Sequence, residues 1–177
     1  ISIAGVDLAA VPFLDERTDW SSALQGQQVV IHLAARAHVI KDKADDSLAE
    51  YRRVNVNGTL NLARQAAAIG VQRFIFISSI KVNGDQISDD NSFTEFDPPK
   101  PQDAIGKAKM EAEYGLQDIS DKTGMEIVII RPPLVYGPRA PGNFGSLVKL
   151  VAQGMPLPLG AIFNKRSMVA VDNLVDL

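Results

Sequence analysis

Three short runs of β-branched and other apolar residues dominate what this chain can fold into: Gln28–Leu33, Val71–Ser78 and Met125–Arg131. Each is too short to cross a domain as a helix. None alternates cleanly between apolar and polar residues, the pattern expected of strands covered on both faces. Between the first two runs, Leu48, Tyr51, Val54, Leu60, Leu62, Ala63, Ala66 and Ala67 recur at helical spacing through residues 47–69, and Gly70 closes the segment. Between the second and third, Ala104–Thr123 reads as a long helix closed by Gly124. Strand–helix–strand units of this length are right-handed crossovers joining parallel strands. The expectation is therefore an α/β protein with a doubly wound parallel sheet.

Smaller elements fit this frame. Trp20–Leu24 reads as a short helix with Asp19 as its N-cap. Phe144–Gln153 reads as another, ended by Gly154, and the polar, proline-rich residues 83–101 as a long surface loop. In a parallel sheet, ligands bind beyond the carboxyl ends of the strands. His32-Leu33-Ala34-Ala35, Ser78-Ser79 and Pro132-Pro133 all fall at such ends, so three separate segments point to one crevice.

Composition narrows the chemistry. With 177 residues, 46% hydrophobic and 22% charged, the chain has the makeup of a soluble globular protein with one substantial core. It contains no cysteine, which excludes thiolate chemistry. A net charge of -3 argues against a nucleic-acid partner. No apolar run approaches a membrane span, and the start is not signal-like, so a cytoplasmic setting is expected. His32 and His38 are six residues apart, without the i, i+4 spacing of a helical metal pair, and no metal site is expected.

Five segments together carry a resemblance. They are His32-Leu33-Ala34-Ala35, Asn55 to Leu62, Phe76-Ile77-Ser78-Ser79, Lys109-Met110-Glu111-Ala112-Glu113, and Arg131-Pro132-Pro133-Leu134-Val135-Tyr136-Gly137-Pro138. They resemble the extended short-chain dehydrogenase/reductases, NAD-dependent nucleotide-sugar epimerases and dehydratases with a Rossmann-like fold. Ser78 to Gly84 and Arg131 to Pro138 look closest to the branch acting on UDP-N-acetylhexosamines in O-antigen or lipopolysaccharide synthesis.

The resemblance implies NAD, in preference to NADP, and a UDP-sugar substrate oxidised at C4. In this family a Tyr phenolate takes the hydroxyl proton, and a Lys four residues later lowers the Tyr pKa and holds the nicotinamide ribose. Carried over, Ser79 is the hydroxyl partner and Lys109 the ribose contact. Leu33, Ala34, Ala35, Asn55, Ser78, Pro132 and Val135 then adjoin the cofactor, with Tyr136 bordering the nicotinamide. Lys81, Asn143 and Arg166 join Ser79 as substrate contacts. A homodimer through a four-helix bundle, built from helices 47–69 and 104–123, is also implied.

Two departures matter. The Tyr position holds Ile105, which has no ionisable group, and neither Tyr114 nor Tyr136 is placed by the resemblance to replace it. The glycines Gly5 and Gly26 lack the spacing of a phosphate-binding loop; if this chain is the whole protein, NAD binding is expected to be very weak, and if residues precede it, the missing loop says nothing about affinity. Residues 1–153 are accordingly expected to form an NAD-binding domain lacking its glycine-rich first βα unit, and 154–177 the start of a substrate-binding region. The functional expectation is epimerisation, or 4-keto oxidation or reduction, of a UDP-sugar in cell-surface polysaccharide synthesis. The alternatives are a catalytically impaired relative that binds nucleotide sugars or acts as a scaffold, and a structural fragment with a vestigial crevice.

Overall fold

The structure is a computed structural model that describes residues 5–36, 47–86, 92–138, 143–157 and 165–177. His38, part of the 83–101 loop and part of the segment after Pro156 lie outside the described residues, as does the side chain of Asn143. The chain forms two compact units, Ile1–Arg131 and Pro132–Leu177.

The first unit runs α1 (Ser21–Leu24), β1 (Val29–His32), α2 (Ser47–Tyr51), a π-helical segment (Arg52–Gly58) and α3 (Thr59–Ile69). It continues through β2 (Arg73–Ile77), a 3-10 turn (Ile80–Val82), α4 (Ala104–Thr123) and β3 (Glu126–Ile130). The strands form a parallel sheet in the order β1-β2-β3. The three apolar runs are thus the strands, and the two long helical segments are the crossovers between them.

Register sorts the strand residues into two faces. Val30, Phe74 and Ile127 lie side by side, as do His32, Phe76 and Ile129. Val30, Phe74, Phe76 and Ile127 of this face meet Leu24 of α1, Leu62, Ala63 and Ala66 of α3, and Ala112, Leu116 and Ile119 of α4 in one cluster. Phe74 and Phe76 are fully buried, each contributing on the order of 2–3 kcal/mol of burial free energy. The opposite row begins with Val29 and Ile31, and Ile31 is 59% exposed. α1, α3 and α4 pack on the first face.

Capping fixes the helix ends. The Asp103 carboxylate accepts from the Gly106 amide at 2.7 Å at the start of α4. Gly70 and Gly124 end α3 and α4 at φ 93° and 77°, a left-handed backbone that a β-carbon disfavours. At α1 the expectation is corrected. Trp20 occupies the N-cap position without a capping side chain, while Asp19 accepts from the Ser21 amide at 2.9 Å in the preceding exposed turn. The helix expected over 47–69 has those bounds but widens to π geometry through its middle, a feature that recurs at functional sites.

The second unit contains β4 (Leu134–Tyr136), α5 (Asn143–Ala152), β5 (Met168–Ala170) and α6 (Val171–Val175). β4 and β5 pair in parallel, Val135 beside Val169. α5 falls within one residue of the expected helix at each end, and Gly154 beyond it has φ 69°. The two strands have three residues each, too short to register as periodicity.

Candidate active site

The carboxyl ends of β1 and β2 carry the candidate residues of the first unit. Beyond β2, Ser79 adopts an extended backbone (φ -158°, ψ 148°), and its hydroxyl oxygen accepts from the Lys81 amide at 3.3 Å, capping the short 3-10 turn. Lys109 reaches the same strand end from α4. Its Nζ donates to the Ile77 carbonyl at 2.7 Å and lies 4.4 Å from the Phe76 ring centroid. Ser79 and Lys109, thirty residues apart in the chain, are thus both tied to the last turn of backbone leaving β2.

The Lys109 side chain is buried, with the residue only 6% exposed. Burial pulls its amine down to about 8, with the nearby Glu113 carboxylate acting in the opposite direction. His32, at the end of β1, is buried against Phe74 and Phe76 and shares a hydrogen bond of 2.9 Å between Nε2 and the Thr59 hydroxyl. Burial, then the Lys109 charge, pushes its imidazole down to about 4, so it is neutral at physiological pH. A neutral core imidazole satisfied by Thr59 is a packing element.

After His32 the chain opens outward. Leu33 is 69% exposed, Ala34 is exposed and Ala35 half-buried. Asn55, from the π-helical segment, holds the next residue by its backbone: Oδ1 accepts from the Arg36 amide at 2.7 Å, and Nδ2 donates to the Arg36 carbonyl at 3.0 Å. Asn55 is 1% exposed, so it shapes the loop after β1 from beneath. The expected cofactor contact is in this respect a support for the loop.

Two other expected contacts are committed elsewhere. The Lys81 ammonium pairs with Asp103, the residue that also caps α4. Ser78 turns inward and gives its hydroxyl to Glu113, itself buried and forked by Arg131 through Nε and Nη2, the shortest contact being 2.6 Å. The Ser78 hydroxyl is therefore committed to this buried network. Glu113 and Arg131 were not singled out from the sequence. The usable signal was the position of Glu113 one turn beyond Lys109 on the same helix face.

Ile105 lies on the first turn of α4, packed with Tyr51, Val56 and Ala108 in a small apolar cluster. Gly106 beside it allows a close approach, since a β-carbon there would sit 2.7 Å from the Lys81 carbonyl oxygen. The remaining candidates belong to the second unit. Pro132 is half-buried just before β4, Val135 lies within β4, Asn143 begins α5, and Arg166 is exposed ahead of β5. Tyr136 packs against Phe144, ring centroids 5.7 Å apart.

In a parallel α/β sheet ligands bind beyond the carboxyl ends of the strands, which is where Ser79 and Lys109 come together. The chain belongs to the NAD dependent epimerase/dehydratase family, whose sequence profile it matches over residues 10–177. It is 50% identical over 165 residues to UDP-glucose 4-epimerase of Vibrio cholerae, covering 93% of this chain and 50% of that one. It is 36% identical over 156 residues to N-acetyl-alpha-D-glucosaminyl-diphospho-ditrans,octacis-undecaprenol 4-epimerase of Escherichia coli O157:H7, covering 87% and 45%. Among solved structures, UDP-glucuronic acid 4-epimerase of Bacillus cereus with UDP-glucuronic acid and NAD matches with a TM-score of 0.74 at 29% identity, covering 90% and 50%. The dTDP-glucose 4,6-dehydratase DesIV of Streptomyces venezuelae, also solved with NAD, gives 0.72 at 27%, covering 88% and 48%. The chain thus spans about half the length of the curated relatives it matches. Among the described residues, no helix is long and apolar enough to cross a membrane.

Proposed function

We propose that the protein containing this chain binds NAD and a UDP-hexose and acts at the sugar C4 position, as an epimerase of cell-surface polysaccharide precursors. The observation that carries this reading is the convergence of Ser79 and Lys109 on the end of β2. The residues fit a nicotinamide ribose. Ala34 and Ala35 leave room beside the β1 end, Asn55 holds the loop from below, and Lys109 supplies a buried cation. When bound, NAD supplies a hydride acceptor and donor. Ser79 orients the sugar oxygen, and Lys109 holds the ribose.

The proton is the difficulty. C4 oxidation needs a base within hydrogen-bond reach, and Ile105 cannot accept a proton. We infer that the form carrying Ile105 binds its ligands but turns over slowly. That is the impaired-relative reading, and the apolar packing of Ile105 against Tyr51 and Ala108 favours it. The side-by-side placement of α3 and α4 on one sheet face supports a homodimer through these helices, and an NAD requirement supports a cytoplasmic setting.

The encoded polypeptide is tested by calorimetry with NAD and with UDP-hexoses, and by following C4 epimerisation. Binding of both with slow but measurable C4 turnover supports the reading. No binding of either ligand overturns it.

A further inference from the structure

Ser78 and Ser79 are chemically identical neighbours, yet only one of them can serve the crevice. The network behind them decides which. Ser78 donates its backbone amide to the Ile130 carbonyl at 2.7 Å and its hydroxyl to Glu113 Oε1. Glu113 Oε1 also accepts from Arg131 Nε at 3.0 Å, and Oε2 from Nε and Nη2 at 3.2 and 2.6 Å. Arg131 Nη1 reaches Asn83 Oδ1 at 3.2 Å, and Asn83 Nδ2 donates to the Thr94 carbonyl at 3.3 Å. One buried carboxylate therefore joins α4, the ends of β2 and β3, and the turn that follows Ser79.

A carboxylate only 4% exposed is costly unless it is paired and hydrogen-bonded. Here the Arg131 fork and the Ser78 hydroxyl satisfy it. Because Glu113 stands one turn beyond Lys109, rotating α4 enough to move the Lys109 ammonium would tear the fork. Ser79, by contrast, spends an acceptor lone pair on the Lys81 amide and keeps its O–H to give.

We propose that Glu113 is a positioning residue: clamped by Arg131, it takes the Ser78 hydroxyl inward, sets the rotation of α4, and leaves Ser79 as the serine that meets the ligand. The proposal rests on the site reading above. Glu113 and Arg131 act through Lys109 and Ser79 and themselves touch neither cofactor nor sugar.

The test is NMR on protein labelled with 13Cε-lysine, the Lys109 resonance being assigned with Lys109→Met. Two readouts are taken: the pH midpoint of Lys109, and its shift on titration with NAD plus UDP-glucose. Among the described residues, His32 on β1 also faces Lys109 and is neutral well above pH 4, and Arg131, which forks Glu113, stays charged through the titration, so neither interferes. Glu113→Gln lowers the Lys109 midpoint and weakens UDP-glucose binding at least fivefold, and Glu113→Asp restores both in part. Ser79→Ala weakens UDP-glucose binding at least fivefold, whereas Ser78→Ala changes it less than threefold. If Glu113→Gln does not fold, Glu113→Asp, which keeps the charge but draws the carboxylate back by one methylene, carries the test together with the two serine variants. An unchanged Lys109 midpoint, or equal losses from the two serine variants, overturns the proposal. A wild-type protein that binds no UDP-glucose sinks the site reading instead, while a lowered midpoint in Glu113→Gln still supports the clamp.

Discussion

Lys109 is anchored to Ile77: its ammonium donates to that carbonyl from within the protein, over the face of Phe76. The folded-state pKa of about 8 lies below the ordinary 10.5, so the unfolded chain binds more protons between these values. Stability therefore rises as pH climbs from about 8 to 10.5. Lys109→Met removes the buried cation. It should stabilise the fold at pH 7 by on the order of 1–3 kcal/mol, an advantage that shrinks above pH 8, while NAD affinity falls. Urea denaturation at pH 7 and pH 10, with calorimetry for NAD, checks both halves.

His32 gives the opposite end of the pH range. Its folded pKa of about 4 lies below the ordinary 6.5, so protonation favours the unfolded chain as pH drops through this window. The wild-type protein should lose on the order of 3 kcal/mol between pH 6.5 and 4 from this group. His32→Gln, which does not titrate, should flatten that part of the pH–stability curve. An equally steep curve in the variant would assign the acid sensitivity to other groups.

Gly106 is held to its identity by space. A β-carbon at this position meets the Lys81 carbonyl oxygen at 2.7 Å and Pro101 at 3.0 Å. Alanine gains about 1 kcal/mol in helix propensity but costs roughly 1–3 kcal/mol in overpacking. The expected outcome of Gly106→Ala is a net loss of about 1 kcal/mol, read from the urea midpoint, with altered amide exchange at residues 80–83.

Ile105→Tyr places a phenol one helical turn before Lys109. With the ammonium available to stabilise the phenolate, turnover of a UDP-hexose should rise by ~10²- to 10⁴-fold. A rise in kcat with KM little changed fits the addition of a base. No gain in a variant that still binds both ligands would mean that proton transfer is handled by another group.

Much of this fold could be read directly from the chain, because its strands are strongly apolar and the crossover helices between them are long. Phe74-Ile75-Phe76-Ile77 admits few other placements, and Ala104–Thr123 carries both a capping Asp103 and a closing Gly124. β4 and β5 could not be read, since three residues leave no period to detect. At the site, Ser79 and Lys109 were legible by their position in motifs. The different fates of Ser78 and Ser79 were not, because they depend on Glu113 and Arg131, which meet only when α4 folds across β2 and β3. The role of Lys81 was hidden for the same reason, its partner Asp103 lying across the polar loop.

Asp103 serves two masters: one carboxylate receives the first turn of α4 through Gly106 and the ammonium of Lys81 from the neighbouring turn. Drift in one segment is therefore felt in the other. Over evolutionary time, a change of charge at residue 81 should be tolerated chiefly in lineages where residue 103 has changed as well. The two stretches would then change together despite the polar loop between them.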